Sequence, residues 1–202
     1  MLKYIRFVWL MALCILLVGC GQGDGAGPAK SPDASGGLTA GEQAIVDALS
    51  ATPLAEILVL DEDGNRVPLQ SQDGEILVIN FWAAWCPYCI EEIPLLNEVA
   101  QKGTENGFRV VMVNTLDNKS RVGYSQEDIL AAQNAKAALG IETATFVDDG
   151  LEASEAFRLR TLPRTVIVDG ENIIRFQYPG MLTSAAQLEE LIENVRKYAK
   201  YK

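Results

Sequence analysis

The strongest constraint on the fold is Glu75–Trp82, EILVINFW, a nearly continuous apolar run of strand length. A strand with apolar residues at successive positions is expected to bury both of its faces, so helices should lie on both sides of it. A second run of this kind, FRVVMVN, spans Phe108–Asn114, and the segment from about 87 to 102 between them has helical character. The sequence therefore predicts an α/β fold.

The other segments continue this alternation of strands and helices. Hairpins are predicted to turn at Asp63–Gly64 and near Gly170, and the helix that begins at Pro87 is predicted to end at Gly103. Further helices are predicted at 39–51, 125–140, 151–159 and 183–202, with capping residues Thr39, Ser125 and Ser184, and a further strand at 142–149. These elements predict a mixed central sheet with helices on both faces.

Net charge and composition exclude several classes of function. The chain has a formal net charge of −10, whereas nucleic-acid binding needs clustered Lys and Arg, so we expect no nucleic-acid partner. It also has no histidine, which removes the commonest metal ligand and the commonest general base. Any chemistry must rest on cysteines, carboxylates or hydroxyls, and we expect neither a metal nor another cofactor.

The amino end, MLKYIRFVWLMALCILLVGC, has a basic start followed by an apolar run. This is the form of a secretory signal, and the run is shorter than the about 20 residues that a membrane-spanning helix needs. LVGC, Leu17–Cys20, resembles the lipobox of bacterial lipoproteins, which implies that residues 1–19 are removed and that Cys20 is lipid-modified. A plain signal peptide with an incidental Cys20 is the alternative.

Residues 20–38 are predicted to form a flexible tether. The segment is nearly all Gly, Ala, Ser, Pro, Asp and Lys, and it lacks the apolar side chains that order a core. Residues 39–202 are predicted to form the folded domain. If Cys20 is acylated, the domain is expected outside the cytoplasm, anchored to a membrane on its periplasmic or outer cell-surface side.

The cysteine count narrows the chemistry of the domain. The chain has four cysteines, and Cys14 would leave with the signal, so that the domain keeps only Cys86 and Cys89. A disulfide across so short a loop is a poor structural staple, because cross-linking stabilises most when it closes a long loop. A structural zinc site would need four ligands, which the domain lacks. We therefore predict a reactive redox pair.

The position of the pair at the start of a helix explains why it should react. Pro87 suits the first helical position, which makes Cys86 the N-cap. The Cys86 sulfur would then face unpaired backbone N–H groups and the positive end of the helix dipole, which favour the thiolate over the thiol. Cys89 lies on the same helix face, within disulfide reach. The pattern predicts an exposed attacker, Cys86, and a shielded resolver, Cys89.

Three motifs, in this order, resemble the thioredoxin superfamily. NFWAAWCPYC (Asn80–Cys89) resembles its active site, Cys89-x-x-Glu92-x-Pro94 is similar to a motif of its TlpA/ResA-like branch, and RTLPRTVIVDG (Arg160–Gly170) resembles its segment around a cis-proline. The resemblance covers about 54–202. It implies a thioredoxin-like fold in which Pro163 is cis and faces the two cysteines.

The resemblance also implies roles for the residues around the pair. The residues predicted to face a substrate are Trp85, Pro87, Tyr88, Leu162 and Pro163. Glu92, one helical turn beyond Cys89, is predicted to handle protons for the buried thiol or to raise thiol pKa by like-charge repulsion. Asn80 stands where thioredoxin itself has a buried aspartate, so the proton-handling role passes to Glu92. A purely structural Glu92 that complements the helix dipole is the alternative.

This resemblance implies a membrane-tethered, extracytoplasmic thiol-disulfide oxidoreductase. Its expected substrates are cysteine-containing exported proteins, for example apocytochromes c before haem attachment, and its expected partner is a membrane thiol-disulfide electron donor or acceptor. The proline in the CPYC motif also occurs in oxidising members, so an oxidase or isomerase stays open.

A thiol peroxidase on the same fold is a further alternative. It is disfavoured because the peroxidatic cysteines of peroxiredoxins have a threonine three residues before them, and Ala83 occupies that position here. The least favoured alternative is a tethered binding module with a static disulfide.

Overall fold

The computed structural model describes residues 37–115 and 125–202, and the structural statements below concern those residues. The predicted signal peptide at 1–19, the predicted lipidation site Cys20 and nearly all of the predicted tether lie outside them. Leu38, the last residue of the predicted tether, packs against the hydrophobic core. The folded unit therefore begins at Leu38.

The secondary structure follows the predicted order. The elements are α1 (Ala40–Ala48), β1 (Thr52–Pro53), β2 (Leu58–Leu60), β3 (Arg66–Pro68), β4 (Ile76–Trp82), α2 (Pro87–Gly103), β5 (Phe108–Asn114), α3 (Gln126–Leu139), β6 (Ala144–Val147), α4 (Glu152–Ala156), β7 (Arg164–Val168), β8 (Ile173–Pro179) and α5 (Ala185–Tyr198), with 3-10 turns at Thr104–Asn106 and Ala199–Tyr201. Strand β1 was not predicted, because two residues that include a proline carry no strand periodicity.

The strands of the described residues form one mixed sheet. Their order is β1-β8-β7-β4-β5-β6-β2-β3. Strand β5 pairs in parallel with β4 on one side and with β6 on the other. The remaining strand pairs are antiparallel. The predicted mixed central sheet is therefore confirmed, and β4 lies in the middle of it.

All seven residues of β4 are buried, as the apolar run predicts. Alternate side chains enter two cores because successive residues of a strand point to opposite faces. Val78 and Trp82 join a first core with side chains of α1, α2 and α5, and this core includes both cysteines of the CPYC motif. Leu77, Ile79 and Phe81 join a second core with side chains of α4. Helices on both faces of the sheet are thus confirmed.

Side-chain caps determine where the helices begin. Thr39 and Glu42 form the predicted capping box of α1, and Ser125 pairs with Asp128 in the same way at α3. Each box satisfies backbone N–H groups that have no partner within the helix. Ser184 caps α5 by accepting from the backbone N–H of Gln187. The helix starts therefore follow from local sequence.

Helix α2 ends at Gly103, as predicted, and a steric contact explains why this residue is a glycine. It keeps a right-handed φ of −60°, whereas the left-handed conformation falls on Gly107, at φ 65°. A Cβ atom on Gly103 would lie 2.5 Å from the carbonyl oxygen of Phe108, the first residue of β5. The absent side chain therefore lets the end of α2 approach the backbone of the neighbouring strand.

We expect Gly103→Ala to lower the free energy of unfolding by about 1–3 kcal/mol, because the new methyl group overlaps backbone that cannot move aside freely. Urea denaturation monitored by circular dichroism measures the change. Gly41→Ala is the matched control: Gly41 lies in α1, nothing is within 4 Å of its Cβ position, and alanine there should be neutral or stabilising. Equal effects of the two substitutions would contradict this account.

Candidate active site

Both cysteines of the CPYC motif lie at the N-terminus of α2, directly beyond the end of β4. Cys86 is the N-cap residue, with Pro87 following it in the first turn, and its sulfur accepts a hydrogen bond from the backbone N–H of Cys89 at 3.3 Å. Cys86 and Cys89 form a disulfide with their Cα atoms 5.3 Å apart. The predicted cap geometry and the predicted disulfide reach are both confirmed.

The prediction of an exposed Cys86 is wrong for the disulfide form. Cys86 is only 3% exposed and Cys89 only 1%, and both belong to the first core. Cys86 is buried because its sulfur turns inward, toward the N–H groups of the helix and toward the Cys89 sulfur. The difference in accessibility between the two sulfurs is therefore smaller in this state than the sequence analysis expected.

Exposed apolar side chains surround the buried disulfide. Trp85 is 58% exposed and Tyr88 is 61% exposed, although large aromatic side chains usually bury most of their surface. Pro87 is exposed as well. Exposed apolar surface of this kind is typical of an interaction site.

The predicted cis-proline lies directly before β7, which is a neighbour of β4 in the sheet. The peptide bond between Leu162 and Pro163 is cis. Leu162 is half-buried and packs against the first core, which contains both cysteines. Pro163 is buried, so it offers a partner less surface than the other residues predicted to face the substrate.

Glu92 is a fully buried carboxyl one turn beyond Cys89 on α2. Its Oε1 accepts a hydrogen bond from the backbone N–H of Leu182 at 2.8 Å, and its Oε2 accepts one from Nδ2 of Asn80 at 3.1 Å. Burial raises the pKa of Glu92 to about 7, although both hydrogen bonds favour the charged form and oppose the rise. No charged side chain among the described residues pairs with this carboxyl.

Asn80 links Glu92 to the strand that follows the cis-proline. The same Nδ2 atom donates to Oγ1 of Thr165 at 3.1 Å, and all three residues are fully buried. The sequence analysis noted Asn80 as a departure from thioredoxin but missed Thr165. A signal for both exists in the sequence, because each is a polar residue within an apolar strand.

Two other findings concern possible ligands and membrane contact. Across residues 37–115 and 125–202, no group of three or more Cys, Asp or Glu side chains is arranged to hold a metal ion. Over the same ranges, no helix has both the length and the apolar character that crossing a bilayer requires.

This arrangement can perform thiol-disulfide chemistry with an internal proton acceptor. A cysteine at a helix N-terminus is stabilised as the thiolate by the N–H groups and the dipole of the helix. A carboxyl with a pKa of about 7 can accept and release a proton near neutral pH. Glu92 lies one helical turn from the second cysteine, so the two functions meet on one face of α2.

Comparisons with known proteins agree with this chemistry. Residues 50–177 match the sequence model of the AhpC/TSA family. The thiol-disulfide oxidoreductase ResA of Halalkalibacterium halodurans is 25% identical over 160 residues, which are 79% of this chain and 79% of that protein. The thiol:disulfide interchange protein DsbE of Tatumella citrea is 32% identical over 133 residues, which are 63% of this chain and 62% of that protein.

A solved structure supports the fold. The exposed lipoprotein thioredoxin of Streptococcus pneumoniae superposes with a TM-score of 0.57 and 24% identity, covering 69% of this chain and 99% of that one. The predicted thioredoxin-like fold is therefore confirmed.

Replacement of Glu92 by glutamine is expected to change how stability depends on pH. The pKa of Glu92 rises from 4.5 to about 7 on folding, so the folded state binds this proton more tightly. The resulting stabilisation is full below about pH 4.5 and is lost as the pH rises through about 7. Glu92→Gln removes this dependence, so its stability relative to the wild type should increase from acid to alkaline pH, by up to about 3 kcal/mol.

Urea denaturation of the oxidised protein over this pH range measures the effect, because the cysteines do not titrate while they are joined. Glu91→Gln is the matched control, since Glu91 is the preceding residue of α2 and is exposed. It should keep the wild-type pH dependence. An identical dependence in wild type and Glu92→Gln would show that Glu92 does not titrate in this range.

Proposed function

The chain belongs to the AhpC/TSA family and is a thiol-disulfide oxidoreductase of the ResA/DsbE type, and we propose that it reduces disulfides in exported proteins outside the cytoplasm. The observation that carries this proposal is the Cys86–Cys89 pair at the N-terminus of α2 with the buried carboxyl of Glu92 one turn behind it. Apocytochromes c before haem attachment are the substrates that the resemblance to the TlpA/ResA-like branch implies.

The first step uses the reduced form of the pair. The Cys86 thiolate attacks one sulfur of the substrate disulfide, and a bond forms between Cys86 and that sulfur. The substrate disulfide breaks at the same time, and its other sulfur leaves as a thiolate that takes a proton from solvent. The N-terminus of α2 favours this step because it stabilises the attacking thiolate.

The second step releases the substrate. Cys89 loses its proton to the Glu92 carboxylate and attacks the Cys86 sulfur, which breaks the bond between Cys86 and the substrate. The second substrate sulfur leaves as a thiolate, and the protein keeps the Cys86–Cys89 disulfide seen in the structure. Two electrons have passed to the substrate. Glu92 then returns its proton to the released thiolate or to solvent.

The substrate docks on the apolar surface around the disulfide. Trp85, Pro87 and Tyr88 supply exposed surface on α2 and its preceding turn, and Leu162 adds a half-buried side chain from the cis-proline segment. Both cysteines are buried in the oxidised form. Once the reaction is complete, the product therefore contacts the apolar surface and not the disulfide.

Membrane attachment completes the proposed cycle. The lipobox-like LVGC motif supports lipid modification of Cys20, and a structural neighbour from Streptococcus pneumoniae is itself described as an exposed lipoprotein. A lipid anchor would keep the domain near a membrane thiol-disulfide electron donor. That donor would reduce the Cys86–Cys89 disulfide by the reverse of the steps above, returning two electrons to the protein.

Cys86→Ser is expected to reduce disulfide reductase turnover to the uncatalysed level, because it removes the attacking thiolate. Cys89→Ser is expected to permit the first step and to accumulate a mixed disulfide between Cys86 and the substrate. Turnover is measured with a disulfide-containing protein, and the mixed disulfide by mass spectrometry under non-reducing conditions. Full turnover in either variant would refute the proposed mechanism, and peroxide consumption without disulfide reduction would identify a thiol peroxidase instead.

The reduction potential of the full chain tests the direction of electron flow. A value near that of thioredoxin, about −270 mV, supports a reductase, and a value near about −120 mV would assign an oxidase. A value well below about −300 mV together with an absence of exchange would assign a static disulfide.

Cys20→Ala is expected to abolish lipid labelling and to move the chain from the membrane fraction to the soluble fraction of a bacterial host. Fractionation and incorporation of labelled palmitate measure the two effects. Cys14→Ala is the matched control and should stay lipid-labelled and membrane-bound, because Cys14 would leave with the signal peptide. Lipid labelling that survives in Cys20→Ala would contradict the proposed anchor.

A further inference from the structure

The hydrogen bonds of Asn80 leave one of its atoms unused. Nδ2 donates to Oε2 of Glu92 and to Oγ1 of Thr165, both at 3.1 Å, so both of its hydrogens have acceptors. Oδ1 of the same amide is buried and has no hydrogen-bond partner among the described residues. A buried amide oxygen without a partner typically costs about 1–3 kcal/mol. The unused acceptor therefore calls for a physical reason.

The observed arrangement suits the ionised form of Glu92. Each carboxylate oxygen receives one hydrogen bond, Oε1 from the Leu182 N–H and Oε2 from Asn80. An ionised carboxylate only accepts hydrogen bonds, so it matches two donors. The hydroxyl of Thr165 serves as an acceptor in this form.

The protonated form of Glu92 needs a different partner. A hydrogen on Oε2 that points toward Asn80 meets the hydrogens of Nδ2, and two donors cannot bond to each other. Half a turn of the Asn80 amide about its last side-chain bond exchanges Nδ2 and Oδ1. Oδ1 then occupies the position between Glu92 and Thr165, where its two lone pairs can accept from the Glu92 O–H and from the Thr165 O–H, since a threonine hydroxyl can rotate to donate.

We propose that Asn80 is the positioning residue of Glu92 and that its amide turns over when Glu92 gains or loses a proton, with Thr165 exchanging roles from acceptor to donor. One amide thereby offers the Glu92 carboxyl a donor when it is ionised and an acceptor when it is protonated. The consequence for catalysis rests on the proposed function, in which Glu92 takes the proton of Cys89. The rotation of the amide itself does not depend on a substrate.

The groups around Glu92 determine whether its titration can be followed separately from that of other residues. The groups hydrogen-bonded to the carboxyl are Asn80 from β4 and the Leu182 N–H from the segment before α5. Thr165 from β7 bonds to Asn80, and the Cys86–Cys89 disulfide precedes Glu92 by one turn of α2. None of these groups is charged, and a disulfide does not titrate. In the oxidised protein, Glu92 is therefore the one titrating group of this cluster.

An asparagine fits this role better than the aspartate that thioredoxin itself has at the same position. An aspartate would place a second carboxyl at the 3.1 Å contact, and two carboxyls that close share one ionisation. The neutral amide keeps a single proton in the network. Asn80 thus leaves Glu92 as the one group that titrates at this contact.

Nuclear magnetic resonance of the oxidised full chain tests the proposal directly. The side-chain amide signals of Asn80 and the carboxyl carbon signal of Glu92 are followed from about pH 5 to about pH 9. We expect both to change with one shared midpoint. In the matched control Glu92→Gln, the Asn80 signals should be independent of pH. Asn80 signals that stay constant while Glu92 titrates would overturn the proposal.

Variants of the two partners provide a second test. Asn80→Leu, which is close in shape, removes the donor to the charged carboxyl and should raise the Glu92 pKa by about one unit. Thr165→Val should produce a smaller change, and Thr165→Ser, which keeps the hydroxyl, should restore the wild-type value. An unchanged Glu92 pKa in folded Asn80→Leu would overturn the proposal.

The pH dependence of the second chemical step connects the positioning role to catalysis. The rate of substrate release from the mixed disulfide should reach half its maximum at a pH that moves with the Glu92 pKa in each of these variants. If the carboxyl midpoints move and the release rates do not, Asn80 positions a carboxyl that takes no part in exchange, which overturns its catalytic role. Because the resonance experiment uses no substrate, its result is independent of whether the proposed reductase activity is found.

Discussion

The structure depends on one strand, β4, which is buried on both faces and along its whole length. Its alternating side chains supply two separate cores, so six of its seven residues hold the helices on either side of the sheet. Fully buried aliphatic and aromatic side chains each contribute about 1.5–3 kcal/mol. The strand also determines where the chemistry lies, because Cys86, the N-cap of α2, follows Trp82 at the end of the strand by four residues.

The site combines a local device with a distant one. The local device is the start of α2, where Pro87 and the N-cap position place the Cys86 sulfur against backbone N–H groups. The distant device is the pocket of the Glu92 carboxyl, which three separate parts of the chain build around α2. The first favours a thiolate on the attacking cysteine. The second supplies a carboxyl whose pKa of about 7 suits it to a proton from the resolving cysteine.

The interior of the domain carries polar groups that a structure selected for stability alone would omit. Glu92 is fully buried with no charged partner among the described residues, and Oδ1 of Asn80 has no acceptor role in the oxidised form. Both features lower stability relative to an apolar interior. They lie one turn from the redox pair, and their cost is offset by the surrounding core. Sites that break local rules in this way are typically functional.

Local patterns account for the order and ends of most elements and for the identity of the redox pair, because caps, turns and strand periodicity act over a few neighbouring residues. The resemblance to the TlpA/ResA-like motif predicted Glu92 as a site residue, and Asn80 was noted as a departure from the thioredoxin pattern. Burial of Cys86 in the disulfide form, the hydrogen bond of Asn80 to Thr165 and that of the Leu182 N–H to Glu92 depend on the packed domain. These contacts bring together residues that are distant in the chain, so burial and hydrogen-bond partners at the site are properties of the packed sheet rather than of any local pattern.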